Sequence, residues 1–261
     1  MPELPDLTVY AENLRKAVVG KKIARVAYHK SGRLNVAAEA LSESLLASEV
    51  TDVQRTGKQI CFHTSNGSAL RVHLMLTGGF VLTTSAELGR LDAPILTICF
   101  EDGSALAVTD PKGWATLTLN PKAEAEAPDA LELSADYLQR IFDKKPKALV
   151  KSLLLDQGLI GGIGNAYADE ILWTARISPK SAAGKLPPEA VASLAEAIPA
   201  VLKDAIGQLR MRHPDMVAGE YREFLKVHGP ALKVSPTGAR IIKENVLSKR
   251  TYYTEEQKLY K

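Results

Sequence analysis

The residue pattern of this chain changes near position 120, and that change limits the folds it can adopt. Upstream, short apolar or alternating runs typical of strands occupy residues 59–63, 69–76, 80–83, 95–100 and 105–108. Downstream, apolar residues recur at helical spacing over residues 135–142, 146–156, 166–173 and 188–209, the last interrupted by Pro199. The intervening segment NPKAEAEAP has neither period and contains two prolines, which is typical of a linker. The sequence therefore predicts two domains of different class.

Further patterns define the fold class. Apolar residues fall on one helical face over residues 7–18, and Gly20 supplies a stop. Asn-Gly at 66–67 and Asp-Gly at 102–103 separate pairs of strand-like runs and are typical of tight hairpins. These patterns predict an α+β fold, with an N-terminal helix and an antiparallel β-sandwich or barrel, followed by a helical domain that ends in a small β-hairpin.

The predicted boundaries give residues 1–120, a linker at 121–134, a helical domain at 135–225 and a terminal hairpin segment at 226–261. Strands are expected at 239–242 and 250–253. Residues 221–261 hold nine Lys or Arg and four Glu, a local charge of +5. Such a segment favours a polyanionic partner, although a basic run is also common on a solvated face.

Composition excludes several classes of protein. No apolar run approaches the roughly 18 residues of a membrane helix, and the N-terminus lacks a basic segment followed by an apolar one. We therefore expect a cytoplasmic protein with no membrane partner. Cys61 and Cys99 lie in separate apolar runs, which favours buried free thiols. The two cysteines and five histidines show no spacing typical of a metal site, so we expect neither metal nor cofactor.

The opening residues MPEL place a secondary amine beside a carboxylate. If Met1 is removed, the α-amine of Pro2 has a pKa near 8, against about 10.4 for a lysine, so more of it is neutral and nucleophilic at pH 7. Its condensation with an aldehyde-level carbon gives a permanently charged iminium, and Glu3 is placed to carry the protons. The alternative is that Pro2 only starts an extended segment and that Glu3 is solvated.

Residues 157–172, QGLIGGIGNAYADEIL, form a second motif. Four glycines in seven residues precede a helix that starts near Asn165, so backbone N–H groups would face a ligand at the positive end of a helix dipole. This predicts a phosphate cradle, with Lys147 and Lys151 of the preceding helix gripping the same phosphate. The alternative is a tight helical hairpin whose glycines serve close packing.

Five segments, in one order, carry a resemblance: MPELPDL, RTGKQ at 55–59, HLMLTG at 73–78, DPKGWA at 110–115 and GGIGNAYADEIL at 161–172. Together they resemble the formamidopyrimidine-DNA glycosylase and endonuclease VIII family over nearly the whole chain. The resemblance implies that the N-terminal proline, here Pro2, attacks C1′ of a damaged nucleotide and that Glu3 acts as acid and base. It implies that Lys58 lies against the phosphate next to the lesion. It also implies that Asn165 of a helix–two-turn–helix element and Arg250 of a terminal finger bind phosphate.

The same resemblance assigns side chains to the gap that a flipped base leaves. Met75 and Leu76 lie in the loop of the family's void-filling methionine. Trp114 matches the family's aromatic wedge, and Lys112 matches an arginine that faces the orphaned base. A large aromatic face can offset the stacking lost on wedging, on the order of a few kcal/mol. The alternatives are that Met75 and Leu76 belong to a core and that Trp114 belongs to a strand.

The finger departs from the zinc-bearing members. They carry cysteines around the terminal hairpin, where this chain has residues such as Thr237 and Thr254. The chain therefore resembles the family's zincless-finger variants, whose finger holds its shape without metal.

The resemblance implies a bifunctional DNA glycosylase and AP lyase of base excision repair, a monomer that acts on double-stranded DNA with oxidised bases or abasic sites. A non-catalytic binder of damaged or abasic DNA is the rival hypothesis. Retention of Pro2, Glu3 and Lys58 favours the enzyme, because a binder needs none of them. Residues 209–226 do not resemble the family loop that covers flipped oxidised purines, which favours oxidised pyrimidines or ring-opened products.

Overall fold

The computed structural model describes residues 1–29, 33–122 and 127–261, and the chain forms two compact units. The N-terminal unit comprises Met1–Glu124 and Leu209–Glu220, and the C-terminal unit comprises Ala125–Gln208 and Tyr221–Lys261. Residues 209–220, which the sequence boundaries assigned to the helical domain, thus belong to the N-terminal unit. In the described ranges, no helix has the length and apolar character needed to cross a membrane.

The N-terminal unit, over its described residues, is a β-sandwich with two α-helices. Its helices are α1 (Leu4–Val18) and α2 (Ala38–Leu45). Its strands are β1 (Ile23–Tyr28), β2 (Arg33–Leu34), β3 (Val50–Thr56), β4 (Gln59–Thr64), β5 (Ala69–His73), β6 (Gly79–Thr84), β7 (Pro94–Phe100), β8 (Ser104–Thr109) and β9 (Thr116–Leu119). One sheet has the order β1-β7-β8-β6 and the other β2-β9-β5-β4-β3. Among the strands that the structure describes in this unit, all pairings are antiparallel except β2 with β9.

The two sheets meet in one core. Phe62 of β4 and Phe80 of β6 come from opposite sheets, and their rings lie edge to face with centroids 5.9 Å apart. Both predicted hairpin turns are present: Gly67 and Gly103 have φ of +85° and +84°, the left-handed conformation that suits glycine. The predicted strand over 69–76 is wrong at its end, because β5 stops at His73 and a turn follows.

The described part of the C-terminal unit contains four α-helices and a hairpin. The helices are α3 (Ala135–Lys144), α4 (Val150–Leu155), α5 (Asn165–Thr174) and α6 (Pro188–Arg212), whose last residues belong to the N-terminal unit. The hairpin pairs β10 (Ile242–Val246) with β11 (Lys249–Tyr253). The interruption predicted at Pro199 is wrong: α6 runs through it, because the buried residues Leu194, Ile198 and Leu202 offset the lost backbone bond. The strand expected at 239–242 is also misplaced, because Arg240 forms only an isolated bridge with Val234 and the ladder with β11 starts at Ile242.

The finger, residues 226–261, has its own apolar centre. Trp173 of α5 packs with Val227, Ile241 and Tyr252, and Leu232 lies against them. The hairpin is therefore anchored on α5 by side chains from three separate segments of the chain.

Candidate active site

The predicted catalytic pair directly precedes the first turn of α1. Glu3 is the N-cap residue of α1, and Pro2 directly precedes it; both are buried. The Glu3 N–H donates to the carboxylate of the fully buried Asp6 at 2.9 Å, which fixes the entry of the chain into the helix. The Met1 ammonium group forms an ion pair with Glu220, which belongs to the same unit. The structure thus places Pro2 and Glu3 at a rigid helix start rather than on a frayed end.

Lys58 lies in the turn that joins β3 to β4. Thr56 pairs with Gln59, so Gly57 and Lys58 form a two-residue turn, and Gly57 has the positive φ, +53°, that such turns require. The Lys58 side chain is only 8% exposed.

Arg55 connects this turn to the start of α1. Its Nε donates to Thr8 Oγ1 of α1 at 3.0 Å, and its guanidinium donates to the Gly57 carbonyl at 3.1 Å. Thr8 in turn donates to the Leu4 carbonyl at 2.8 Å. The helix start that carries Glu3 and the turn that carries Lys58 are therefore held as one piece.

His73, at the end of β5, lies near Lys58. Burial lowers the pKa of His73, and the nearby Lys58 charge lowers it further. A lowered pKa favours the neutral ring, whose Nδ1 accepts a hydrogen bond from the Met75 N–H at 3.0 Å. His73 thus orients the loop that follows β5, and only its place at the end of that strand could have indicated this role.

Two loops carry the predicted wedge residues. Residues 74–78 join β5 to β6, and Leu76 at their tip is 51% exposed while Met75 is half-buried. Residues 110–115 join β8 to β9, and Trp114 there is 38% exposed and outside any strand. The Lys112 ammonium lies 4.7 Å from the centre of the Trp114 ring. The alternatives of a core Leu76 and a strand Trp114 are therefore wrong.

In the C-terminal unit, Asn165 starts α5 and contacts the finger. Its Nδ2 donates to the Arg250 carbonyl at 2.7 Å, which leaves one amide hydrogen for another acceptor. Arg250 itself is exposed on β11. The Asn165 side chain thus contacts the Arg250 backbone within this unit, and the assignment of both residues to phosphate stays a prediction.

The predicted phosphate cradle of the glycine turn is wrong for its central residues. The N–H groups of residues 159 and 160 bond to the Asp156 carbonyl, that of Gly161 bonds to the Pro128 carbonyl, and that of Gly162 bonds to the Gln157 side chain. Because these donors are used inside the unit, the glycines serve a tight turn rather than a cradle.

Lys151 does not lie on the surface. Its side chain is 1% exposed, and its ammonium group lies 2.7 Å from Asp169 and 2.7 Å from the hydroxyl of Thr251. A buried ammonium needs such partners to offset its lost hydration. This burial argues against the direct phosphate contact predicted for Lys151.

Asp169 and Glu170, neighbours on α5, hold segments that are distant in sequence. Glu170 accepts the backbone N–H groups of residues 226, 227 and 228 at 2.9, 2.8 and 2.7 Å. Burial raises the pKa of Glu170, and these three bonds offset the increase only in part. Asp169 accepts the Tyr252 N–H at 3.0 Å and lies 2.7 Å from Nδ1 of His228. Sequence reasoning missed both carboxylates.

A cluster of hydroxyl groups and one carboxylate occupies the finger around Thr237 and Thr254. Glu256 accepts hydrogen bonds from both threonines, at 2.7 and 3.2 Å, and forms an ion pair with Arg176 at 3.0 Å. The bond from Thr237 is the main reason that the pKa of Glu256 lies below its ordinary value. Side-chain hydrogen bonds therefore join the turn before β10 to the segment after β11.

Comparison with known proteins gives the family. A model described as the formamidopyrimidine-DNA glycosylase N-terminal domain matches residues 1–117, and one described as the formamidopyrimidine-DNA glycosylase H2TH domain matches residues 125–213. The chain belongs to the formamidopyrimidine-DNA glycosylase family. The expected succession of β-sandwich, helix–two-turn–helix domain and terminal hairpin is thereby confirmed.

Relatives match this chain over most of its length. The formamidopyrimidine-DNA glycosylase of Mycoplasma pneumoniae is 30% identical over 98% of this chain and 98% of its own. That of Moorella thermoacetica is 35% identical over 88% of this chain and 89% of its own. Among solved structures, a complex of Lactococcus lactis Fpg with DNA containing an abasic site is similar with a TM-score of 0.87 at 25% identity, covering 97% of each chain.

Proposed function

We propose that this DNA glycosylase of base excision repair removes damaged bases through a covalent intermediate on Pro2 and then cleaves the DNA strand as an AP lyase. The observation that carries the proposal is the fixed arrangement of Pro2 and Glu3 at the start of α1, tied through Arg55 to the turn of Lys58. Membership of the formamidopyrimidine-DNA glycosylase family supports the first step.

The proposed chemistry follows from the two groups at the helix start. With Met1 removed, the Pro2 nitrogen attacks C1′ of the damaged nucleotide, the bond from C1′ to the base breaks, and the base leaves with the proton that the Pro2 nitrogen loses. Glu3 protonates the sugar oxygen as the ring opens, which leaves an iminium between Pro2 and C1′. Because the iminium withdraws electrons, a proton leaves C2′ readily and the 3′ phosphate is expelled. Water then hydrolyses the iminium and releases Pro2.

The partner we propose is double-stranded DNA with a damaged base or an abasic site. Lys58, Asn165 and Arg250 are assigned to phosphates, and the start of α5 supplies a positive helix end. Lys112, Met75, Leu76 and Trp114 are assigned to the space that the flipped nucleotide leaves. Lys151 supports the finger from within rather than contacting phosphate, because its ammonium group is buried between Asp169 and Thr251.

Borohydride trapping tests the covalent step. Borohydride reduces an iminium to a stable amine, so processed protein mixed with duplexes of single defined lesions should give a cross-linked species that maps to Pro2. Protein that retains Met1 should give none. Glu3→Gln should lose base excision while keeping some cleavage at preformed abasic sites, because it removes the proton donor but keeps the size.

Glu39→Gln is the matched control, because Glu39 lies exposed in the first turn of α2. It should trap and cleave like the unchanged protein. The proposal fails if processed protein binds these duplexes but gives neither adduct nor strand cleavage across a broad lesion panel. That result would identify a non-catalytic binder of damaged DNA.

A further inference from the structure

Asp110 is a buried carboxylate with an unusual set of partners. It is 1% exposed and directly follows β8. One oxygen accepts the Thr77 hydroxyl and the Lys112 N–H, the latter at 3.1 Å. The other oxygen accepts the N–H groups of Trp114 and Ala115 at 2.6 and 2.8 Å. One side chain therefore binds both loops that carry the candidate wedge residues.

The two loops lie side by side because of the sheet topology. Each crosses from one sheet of the sandwich to the other: residues 74–78 leave the five-stranded sheet, and residues 110–115 enter it. They meet because β6 pairs with β8, with Gly79 opposite Thr109. The hydrogen bond from Thr77 to Asp110 then joins the two loops next to the Gly79–Thr109 pair.

The first loop is held in a conformation that is unfavourable for its residues. Met75 has φ of +55°, in the left-handed region that side chains avoid. The Gly78 N–H bonds to the Leu74 carbonyl at 3.0 Å, and a Cβ at Gly78 would lie 2.4 Å from that oxygen. Such a turn persists only where its surroundings fix it, and the bonds from His73 and Asp110 supply that constraint.

We propose that Asp110, acting through Thr77, is a positioning residue that fixes the two loops as one preformed wedge, so that Leu76 and Trp114 enter the DNA stack together. The inference rests on the proposed function. Because the loops are already ordered in the folded protein, the entropy cost of ordering them does not weaken DNA binding. Burial alone would raise the pKa of Asp110, but its hydrogen bonds hold the pKa below the ordinary value, so the side chain stays a charged acceptor at neutral pH.

Variants of Thr77 can distinguish the coupling of the two loops from the folding of the loop at residues 110–115. Thr77→Val removes the bond between the loops but leaves Asp110 with its three N–H partners in its own loop. Thr77→Ser keeps the hydroxyl and should restore coupling. Thr83→Val is the matched control, because Thr83 lies on the same strand, β6, and donates only to the exposed Glu87.

The experiment compares excision of one lesion in a fully paired duplex and in a three-nucleotide unpaired bubble. In the bubble the stack is already open, so the wedge has little to displace. Thr77→Val should slow excision from the duplex about tenfold, since a hydrogen bond to a charged group is lost, and should leave excision from the bubble unchanged. Leu76→Ala should show the same selective loss, and Thr77→Ser and Thr83→Val should behave like the unchanged protein.

Binding of a duplex with 2-aminopurine beside the lesion gives a second readout that needs no catalysis. Its fluorescence rises on unstacking, and the rise should be smaller with Thr77→Val than with the unchanged protein. An equal loss of excision from duplex and bubble, or an equal fluorescence rise in both proteins, overturns the inference. If the unchanged protein excises nothing from either substrate, the proposed function fails. The fluorescence comparison alone then tests whether Thr77 and Asp110 hold the two loops as one wedge.

Discussion

At the residue scale, buried carboxylates do much of the local ordering in this chain. Asp6, Asp110, Asp169 and Glu170 are each 3% exposed or less. Each accepts at least one backbone N–H, from the start of α1, the loop after β8, β11 or the segment 226–228. Because a carboxylate without its donors is costly to bury, these four positions should tolerate substitution far less than the exposed acidic residues.

The pH dependence of stability should reveal the contribution of Asp110. Its pKa in the folded protein is lowered, so it contributes stability above its unfolded pKa of about 3.9 and loses that contribution as the pH falls through the folded value. The free energy of unfolding of Asp110→Asn should thus fall below that of the unchanged protein near neutral pH, and the two should converge in acid. Urea unfolding from about pH 7 to about pH 3 measures this. A difference that stays constant to the lowest pH contradicts it.

At the element scale, α5 organises the C-terminal unit, since Asn165, Asp169, Glu170 and Trp173 all contact segments beyond residue 225. The helix itself was predictable from its apolar spacing and from the glycine turn before it. Its contacts were not, because Tyr252 lies 83 residues from Asp169 in the sequence and no local pattern links them.

The same distinction explains the other successes and failures of sequence reasoning. The hairpin turns were found because Asn-Gly and Asp-Gly fit left-handed backbone positions. Strand β3, VTDVQRT, was missed because its two buried residues, Val50 and Val53, are three positions apart and lack the alternation typical of a half-buried strand. Pro2 and Glu3 stood out by their chemistry and Lys58 by family resemblance, and their roles stay predictions. His73 and Asp110 act through contacts that only the fold creates.

The buried ion pair of α4 and α5 gives a prediction at this scale. Lys151→Met should destabilise the protein by about 3–5 kcal/mol, because it leaves the Asp169 charge buried without its cation. The double variant Lys151→Met/Asp169→Leu should lose much less than the sum of the two single variants. Chemical unfolding measures both. The exposed pair of Lys145 and Asp156 is the control, and its loss should cost less than about 1 kcal/mol. Additive losses at the buried pair would show that its members act independently.

At the scale of the whole molecule, charge is distributed unevenly. The net charge is only +3, yet residues 221–261 alone carry nine basic and four acidic side chains. Arg250 and Lys249 are exposed at the hairpin within this segment. The finger is therefore the part of the chain whose interaction with a polyanion should respond most to salt.

Affinity for undamaged duplex DNA should fall steeply between about 50 and about 200 mM salt, because each cation bound to a phosphate releases about one counterion. Arg250→Ala should weaken binding to all sequences and flatten the slope of log affinity against log salt by about one unit. Fluorescence anisotropy titrations at several salt concentrations give this slope. Lys249→Ala is the companion variant. If only Lys249→Ala flattens the salt slope, Lys249 rather than Arg250 contacts the phosphate.

The N-terminal unit is discontinuous, and this affects how the chain can be made and cut. Asn13 of α1 donates to the carbonyls of Pro214 and Met216 at 2.7 and 3.0 Å, and Arg210 binds Glu12. During synthesis, the N-terminal unit therefore cannot complete its fold around Pro2 until residues 209–220 have also been made. A protease that cuts once between residues 120 and 128 would yield two polypeptides on a denaturing gel, which residues 209–220 would still hold together in native solution.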